Sequence, residues 1–213
     1  MKVALFGATG RTGQYLIEEG LIRGMDLTVF ARSSTEFEDL RVRVVRGDLT
    51  DITALRSAIS GADAVLSALG PTSLQHPKDL PITHATGAII SAMKLEGVKR
   101  LIAISTGTAV DPADGSDWKI SLPADLIKLL MKSSYQDIIG LARTIRASDL
   151  DWTMVRVGFL NDRPAAPRLI VGMYGHTKHA MGTSRADTAK FMFDQITHPE
   201  FIGQAPGISS AKG

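Results

Sequence analysis

Gly7-Ala8-Thr9-Gly10-Arg11-Thr12-Gly13 stands between an apolar run, Lys2 to Phe6, and a segment with Leu16, Ile17, Leu21 and Ile22 at helical spacing. The run reads as a buried parallel strand and Thr12 to Arg23 as a helix. Few folds turn a strand into a helix through three glycines at this spacing. Gly7 permits the tight turn off the strand. Gly10 lets the main chain approach a diphosphate with no Cβ in the way, and Gly13 lets the helix pack closely on the sheet. The helix N-terminus then offers unpaired N–H groups and a partial positive charge to the phosphates. All seven residues from Gly7 to Gly13 are therefore expected to form a dinucleotide site.

The rest of the chain supplies the context that such a loop requires. Further strands are predicted at Asp26–Ala31, Val42–Val45, Ala64–Ala68, Arg100–Ile104 and Trp152–Val157. Helices are predicted after Thr50-Asp51, which can cap the first turn, and over Thr83–Leu95, with Gly97 as C-cap. Two more are expected over Leu122–Ala147 and Ser184–Ile196, while the tail after Pro199 has room for one more short strand. Strands alternating with helices predict an α/β fold: a doubly wound parallel sheet in a three-layer α/β/α Rossmann arrangement. Right-handed crossovers then bring every strand-to-helix loop to one edge of the sheet. No linker separates two domains, so residues 1–213 are expected to form one dinucleotide-binding domain. Residues 107–134 and 158–183 leave the regular alternation and are the expected cover of a substrate pocket.

Several landmarks carry a family resemblance. Phe6-Gly7-Ala8-Thr9-Gly10-Arg11-Thr12-Gly13 is followed in order by Gly47-Asp48-Leu49, Ser67-Ala68-Leu69-Gly70, Ile104-Ser105-Thr106 and Leu150-Asp151-Trp152-Thr153-Met154-Val155-Arg156. The chain thus resembles the atypical, or extended, short-chain dehydrogenase/reductase superfamily over essentially its whole length. Asn161-Asp162-Arg163-Pro164 and Ser184-Arg185-Ala186-Asp187 make it most similar to the small NAD(P)H-binding proteins grouped with biliverdin-IXβ reductase/flavin reductase and the NmrA-like proteins. The resemblance implies that Asp48 and Leu49 flank the adenine. It also implies that Ala68, Leu69 and Gly70 run beside the ribose or diphosphate, and that Ser105 and Thr106 lie near the nicotinamide. Val157 and Phe159, at the end of the sixth strand, complete the implied cofactor-binding set. In the subgroup a histidine follows that strand, and here Phe159 stands in its place, suited to packing against a ring.

The end of the second strand bears on which dinucleotide is bound. An NAD site usually carries an acid there to hold the ribose 2′-hydroxyl. This chain has Ala31-Arg32-Ser33-Ser34. Arg32 can pair with a 2′-phosphate and Ser33 can donate to it, with Arg11 a second candidate cation. NADP(H) is therefore expected over NAD(H).

The chemistry is less defined. The superfamily's usual acid is a tyrosine with a lysine four residues later. Tyr135 lies in the expected helix, but Ile139 holds the lysine position, so the pair is broken; Tyr135 is either a proton donor or an ordinary helix-surface or lid tyrosine. Ser105, Thr106 and Tyr135 are the catalytic candidates. Hydride transfer to a flavin, such as FMN, or to another conjugated acceptor needs stacking and orientation more than an alkoxide-handling acid. The expected function is an NADPH-dependent reductase of a flavin, quinone or similar acceptor. The alternative is a non-catalytic NADP(H)-binding redox sensor, and an epimerase is disfavoured by the missing pair.

Composition closes off other classes. The chain has 213 residues, no cysteine and a net charge of +2, which excludes thiol nucleophiles and thiolate metal sites. Its basic residues are scattered, so no nucleic-acid partner is expected. The histidines, His76, His84, His176, His179 and His198, lack a supporting carboxylate pattern, so no metal site is expected. No apolar run is long enough for a membrane helix or a signal peptide. A cytoplasmic monomer or homodimer acting on a small molecule is the resulting expectation.

Overall fold

The computed structural model describes residues 1–71, 75–116 and 130–211. It contains β1 (Lys2–Phe6), α1 (Arg11–Ile22), β2 (Asp26–Arg32), β3 (Arg43–Gly47), α2 (Ile52–Ile59), β4 (Ala64–Ser67), α3 (Pro81–Glu96) and β5 (Arg100–Thr106). Next come α4 (Lys132–Arg146), β6 (Asp151–Val157), β7 (Phe159–Asn161), β8 (Leu169–Gly172), β9 (Gly182–Ser184), α5 (Arg185–Thr197), a 3-10 turn (Pro199–Phe201) and β10 (Gly207–Ser210).

Eight strands form one sheet in the order β3-β2-β1-β4-β5-β6-β10-β8, parallel throughout except where β8 runs antiparallel to β10. The strands read as near-continuous apolar runs because both faces are covered. On one face α2, α3 and α4 bury Leu55, Ile59, Ile89, Met93 and Leu141 against Phe6, Val65 and Leu101. On the other, α1 and α5 bury Leu16, Ile17, Phe191 and Met192 against Leu5, Leu66 and Ile102. The expected doubly wound, three-layer α/β/α fold is the observed one. Among the described residues no helix is long and apolar enough to cross a membrane.

Most elements shift from expectation by one or two residues at their ends, as at β5, which runs on to Thr106. β3 runs on to Gly47, because Val45, Arg46 and Gly47 continue the register with Phe30, Ala31 and Arg32. The long helix expected over Leu122–Ala147 is broken at Met131, which has φ −128° and ψ 47°, and α4 starts after it at Lys132; 117–129 lie outside the described residues. The segment 158–183, expected as irregular cover, carries three short strands, of which β7 and β9 pair in parallel as a separate ribbon. The terminal strand foreseen after Pro199 is β10, which joins β8 to β6.

Helix ends follow local chemistry. Asp51 accepts from the amides of Thr53 and Ala54, and Ser184 from that of Asp187, as N-caps should. Gly97 closes α3 in the left-handed conformation at φ 71°. The start of α3 is capped from another helix: Leu80 has no side chain able to cap, and Asp137 of α4 accepts from Ile82 N at 3.0 Å and Thr83 N at 2.7 Å. Asp137 also accepts from Thr83 Oγ1 and contacts His76 Nε2. Burial pushes the Asp137 carboxyl up, but these bonds outweigh it and hold its pKa below the usual range. This link fixes α3 against α4 and so sets Ile82 beside Ile138.

Candidate functional site

β2 and β3 lie to one side of β1, and β4 and β5 to the other, so crossovers leave β1 and β4 in opposite directions. Ligands of open α/β sheets bind in the crevice beyond the carboxyl ends of strands at this kind of switch point. A cleft of about 380 Å³ opens there. Gly7, Gly10, Arg11 and Thr12 line one side, Ala68, Leu69, Gly70 and Pro71 follow from β4, and Ser105, Thr106 and Val157 come from the ends of β5 and β6. Ile82, Ile104, Ile138, Leu141 and Leu160 make the remaining wall apolar, and Arg185 borders it from the start of α5.

The glycine loop explains the first side. Gly7 adopts φ +74°, and a Cβ at Gly13 would lie 2.3 Å from Ala8 Cα. Those two glycines are demanded by the protein's own packing. Gly10 is different: its φ is −86°, and a Cβ there would meet only the Gly7 carbonyl, at 3.4 Å. α1 has no side-chain cap and no acidic residue in its first turn. The Arg11, Thr12 and Gly13 amides have no acceptor within the helix, which leaves a site suited to an anion.

The far end of the cleft is a hydroxyl set in an apolar wall. Ser105 is buried, and its Oγ has no partner among the described residues. Thr106 Oγ1 is 2.6 Å from Thr108 Oγ1. A buried, unmatched hydroxyl is costly, which makes Ser105 the more available of the two neighbours.

Two arginines frame the mouth. Arg11 Nη2 pairs with Asp162 Oδ2, and Arg185 Nη1 donates to Asp162 Oδ1 at 2.6 Å. Burial raises the Asp162 pKa, but the two guanidiniums outweigh it and hold the carboxyl below its usual range. Arg11, proposed from sequence as a second cation for a 2′-phosphate, thus reaches across to the residues following β7.

Other candidates stand off the cleft lining. Ala8 and Gly13 are buried behind the loop, and Thr9 is half-buried at its turn. Arg32 and Ser33 are exposed at the end of β2, where the Ser33 amide donates to Gly47 O. Asp48 and Leu49 follow β3, with the Asp48 carbonyl accepting from the Asp51 amide. Tyr135 is half-buried one turn before Ile138 and does not line the cleft. Phe159 is 67% exposed and likewise outside the lining, whereas its neighbour Leu160 is inside it. Of the expected cover, 158–183 contributes Leu160 to the wall, and none of the described residues from 107 to 116 does.

Sequence reasoning missed Pro71, Ile82, Ile104, Ile138, Leu141, Leu160 and Arg185. The apolar ones carried no signal separating wall from core. Among the described residues no group of three or more histidines and carboxylates is placed to hold a metal.

A family profile described as NAD(P)H-binding matches residues 7–199. Phenylcoumaran benzylic ether reductase 1 of Arabidopsis thaliana is 33% identical over 170 residues, 74% of this chain and 48% of that protein. The chain thus spans about half the length of that plant relative. Uncharacterized protein YwnB of Bacillus subtilis is 24% identical over 208 residues, 94% of each chain. Among solved structures, a short-chain dehydrogenase/reductase of Veillonella parvula in complex with NADP superposes with a TM-score of 0.78 at 19% identity, covering 98% of this chain and 94% of that one. ChuY of Escherichia coli O157:H7, described as an anaerobilin reductase, gives 0.74 at 18% identity over 100% of this chain and 98% of its own. By the match over residues 7–199, and in keeping with its resemblance to the short-chain dehydrogenase/reductases, this chain belongs to the NAD(P)H-binding family.

Proposed function

We propose that this protein is an NADPH-dependent reductase that passes a hydride to a flavin, a quinone or a similar conjugated small molecule. One observation carries the reading: a single cleft joins an anion-ready helix terminus to an apolar end where the Ser105 hydroxyl is buried without a partner. The nicotinamide would supply the hydride when bound. The α1 amides hold the diphosphate, and Ser105 orients the nicotinamide amide or the acceptor. Ile82, Ile138 and Leu141 keep water from the reacting faces. Tyr135 lies outside the lining, so the accompanying proton comes from solvent or a cleft hydroxyl. The matched Arabidopsis relative, itself called a reductase, supports the same class.

The test is steady-state oxidation of NADPH with FMN, riboflavin and quinones. Turnover with at least one is expected, and Ser105→Ala should lower kcat/KM about tenfold, as loss of one orienting hydrogen bond does. Stoichiometric NADPH binding without turnover across the panel would refute the reductase reading.

The cofactor preference rests on the end of β2. Arg32 is exposed and makes no ion pair with a described residue, and no acid stands beside it in Ala31-Arg32-Ser33-Ser34. Arg32→Ala should weaken NADPH about tenfold and leave NADH nearly unchanged. Dissociation constants for both nucleotides decide this, and equal or tighter NADH binding by the wild type refutes it.

A non-catalytic NADP(H) sensor is the second reading. It is favoured by the titratable side chains of the cleft lining, which among the described residues are Arg11 and Arg185 alone. Both are permanent cations and neither suits proton transfer.

A further inference from the structure

Arg185 is the first residue of α5 and borders the cleft beside the apolar wall. Its side chain is 9% exposed. Only Nη1 has a partner among the described residues, the Asp162 carboxylate at 2.6 Å. Nε is buried with none, and no described residue accepts from Nη2. The Nε–Nη2 edge of a guanidinium is a fork of two parallel donors, matched to the two oxygens of a carboxylate or phosphate. Leaving the buried Nε unpaired is unfavourable unless a ligand completes the fork.

The diphosphate already has its own holders. The glycine loop and the α1 amides lie on the β1 side, and Arg11 stands at that loop. Arg185 comes from the segment that also brings Leu160 to the wall after β6. Asp162 joins the two arginines and leaves a net positive charge at this mouth. No acidic side chain lines the cleft among the described residues.

We propose that Arg185 is an anion-recognition residue for the acceptor, and that the acceptor is a conjugated molecule bearing a carboxylate or phosphate. The assignment rests on the reductase reading for the acceptor's class. Its test is binding, so that the two fail separately. FMN and riboflavin share one ring system and differ by a phosphate. Both are titrated against the full chain with saturating NADP+, following flavin fluorescence or heat.

FMN should bind about tenfold more tightly than riboflavin, the worth of one charge-assisted pair. Arg185→Gln should bring the two within about twofold, chiefly by weakening FMN. Arg185→Lys keeps a cation for Asp162 but loses the planar fork, so it should recover only part of the preference. Asp162→Asn removes the competing carboxylate and should tighten FMN several-fold, a gain that misfolding cannot imitate. Thermal melts of each variant accompany the titrations.

Wild-type protein that binds neither flavin, or both alike, overturns the proposal. So does Arg185→Gln with an unchanged FMN-to-riboflavin ratio. A loss of NADP+ affinity in that variant, with the ratio intact, assigns the arginine to the dinucleotide instead. Absence of turnover alongside the expected ratios would leave Arg185 as an anion site and refute only the reductase.

Discussion

Asp114→Ala is expected to destabilise the fold by about 3–5 kcal/mol, because it strands a buried charge. Arg156 is fully buried in β6. Its Nη1 and Nη2 each lie 2.6 Å from an Asp114 oxygen, its Nε donates to Ala205 O at 2.7 Å, and its guanidinium carbon is 4.7 Å from the Tyr174 ring centre. Removing the carboxylate leaves a guanidinium out of water with only carbonyl, thioether and ring partners among the described residues. For a chain of this size the melting temperature should fall on the order of 10 °C. Denaturant unfolding measures the loss directly, and a change under about 1 kcal/mol would show that the pair is hydrated and weak. Replacing both partners, Asp114→Leu with Arg156→Met, should recover much of the loss, since the desolvation penalty goes with the charges.

The same pair sets an acid limit. Burial pushes the Asp114 carboxyl up, but the Arg156 guanidinium and the Asp111 and Tyr174 contacts outweigh it, and the net shift is downward. A group with a depressed folded pKa contributes stability that is complete above its unfolded value, about 3.9, and is lost as pH falls through the folded value. Wild-type stability should therefore decline below about pH 4, and Asp114→Ala should show a shallower decline. An identical acid slope in both proteins would assign the acid sensitivity elsewhere, Asp137 being the next candidate.

Arg156 and Asp114 also show where sequence legibility stopped. The apolar strands, their alternation with helices and the glycine loop were legible because each is a local pattern with a period or a fixed spacing. An arginine inside the apolar run Trp152-Thr153-Met154-Val155-Arg156-Val157 was a visible signal that a buried partner must exist. Nothing local named Asp114, which sits in the segment 107–134 expected only as pocket cover. The same holds at the cleft. Asn161-Asp162 and Ser184-Arg185 were recognisable as landmarks, but their convergence on Arg11, 151 residues from Asp162, is a product of the crossovers. β7 and β9 escaped because three-residue strands carry too few alternations to register. Tyr135 was placed on the correct helix, but its absence from the cleft lining depends on the rotation of α4 about its axis. That rotation is set partly by the half-buried bond from Thr83 to Asp137, another long-range pairing.

Gly10→Val is the sharpest test of the site, because the expected effects on folding and on binding point apart. Gly10 has ordinary backbone angles, φ −86° and ψ 172°, which suit a β-branched residue. Its Cβ would be opposed only by the Gly7 carbonyl at 3.4 Å, so stability should change by no more than about 1 kcal/mol. The side chain would nonetheless stand at the lip of the cleft, where the main chain must come within hydrogen-bonding distance of a diphosphate. Binding of NADPH should weaken about a hundredfold or more, close to 2.7 kcal/mol, by titration calorimetry on a variant with a near wild-type melt. Gly13→Ala, with its Cβ 2.3 Å from Ala8 Cα, should instead lose the fold and the binding together. If Gly10→Val binds NADPH as the wild type does, the phosphates do not lie against this loop. The cleft beyond β1 and β4 would then need another occupant, because stability alone does not require glycine at this position.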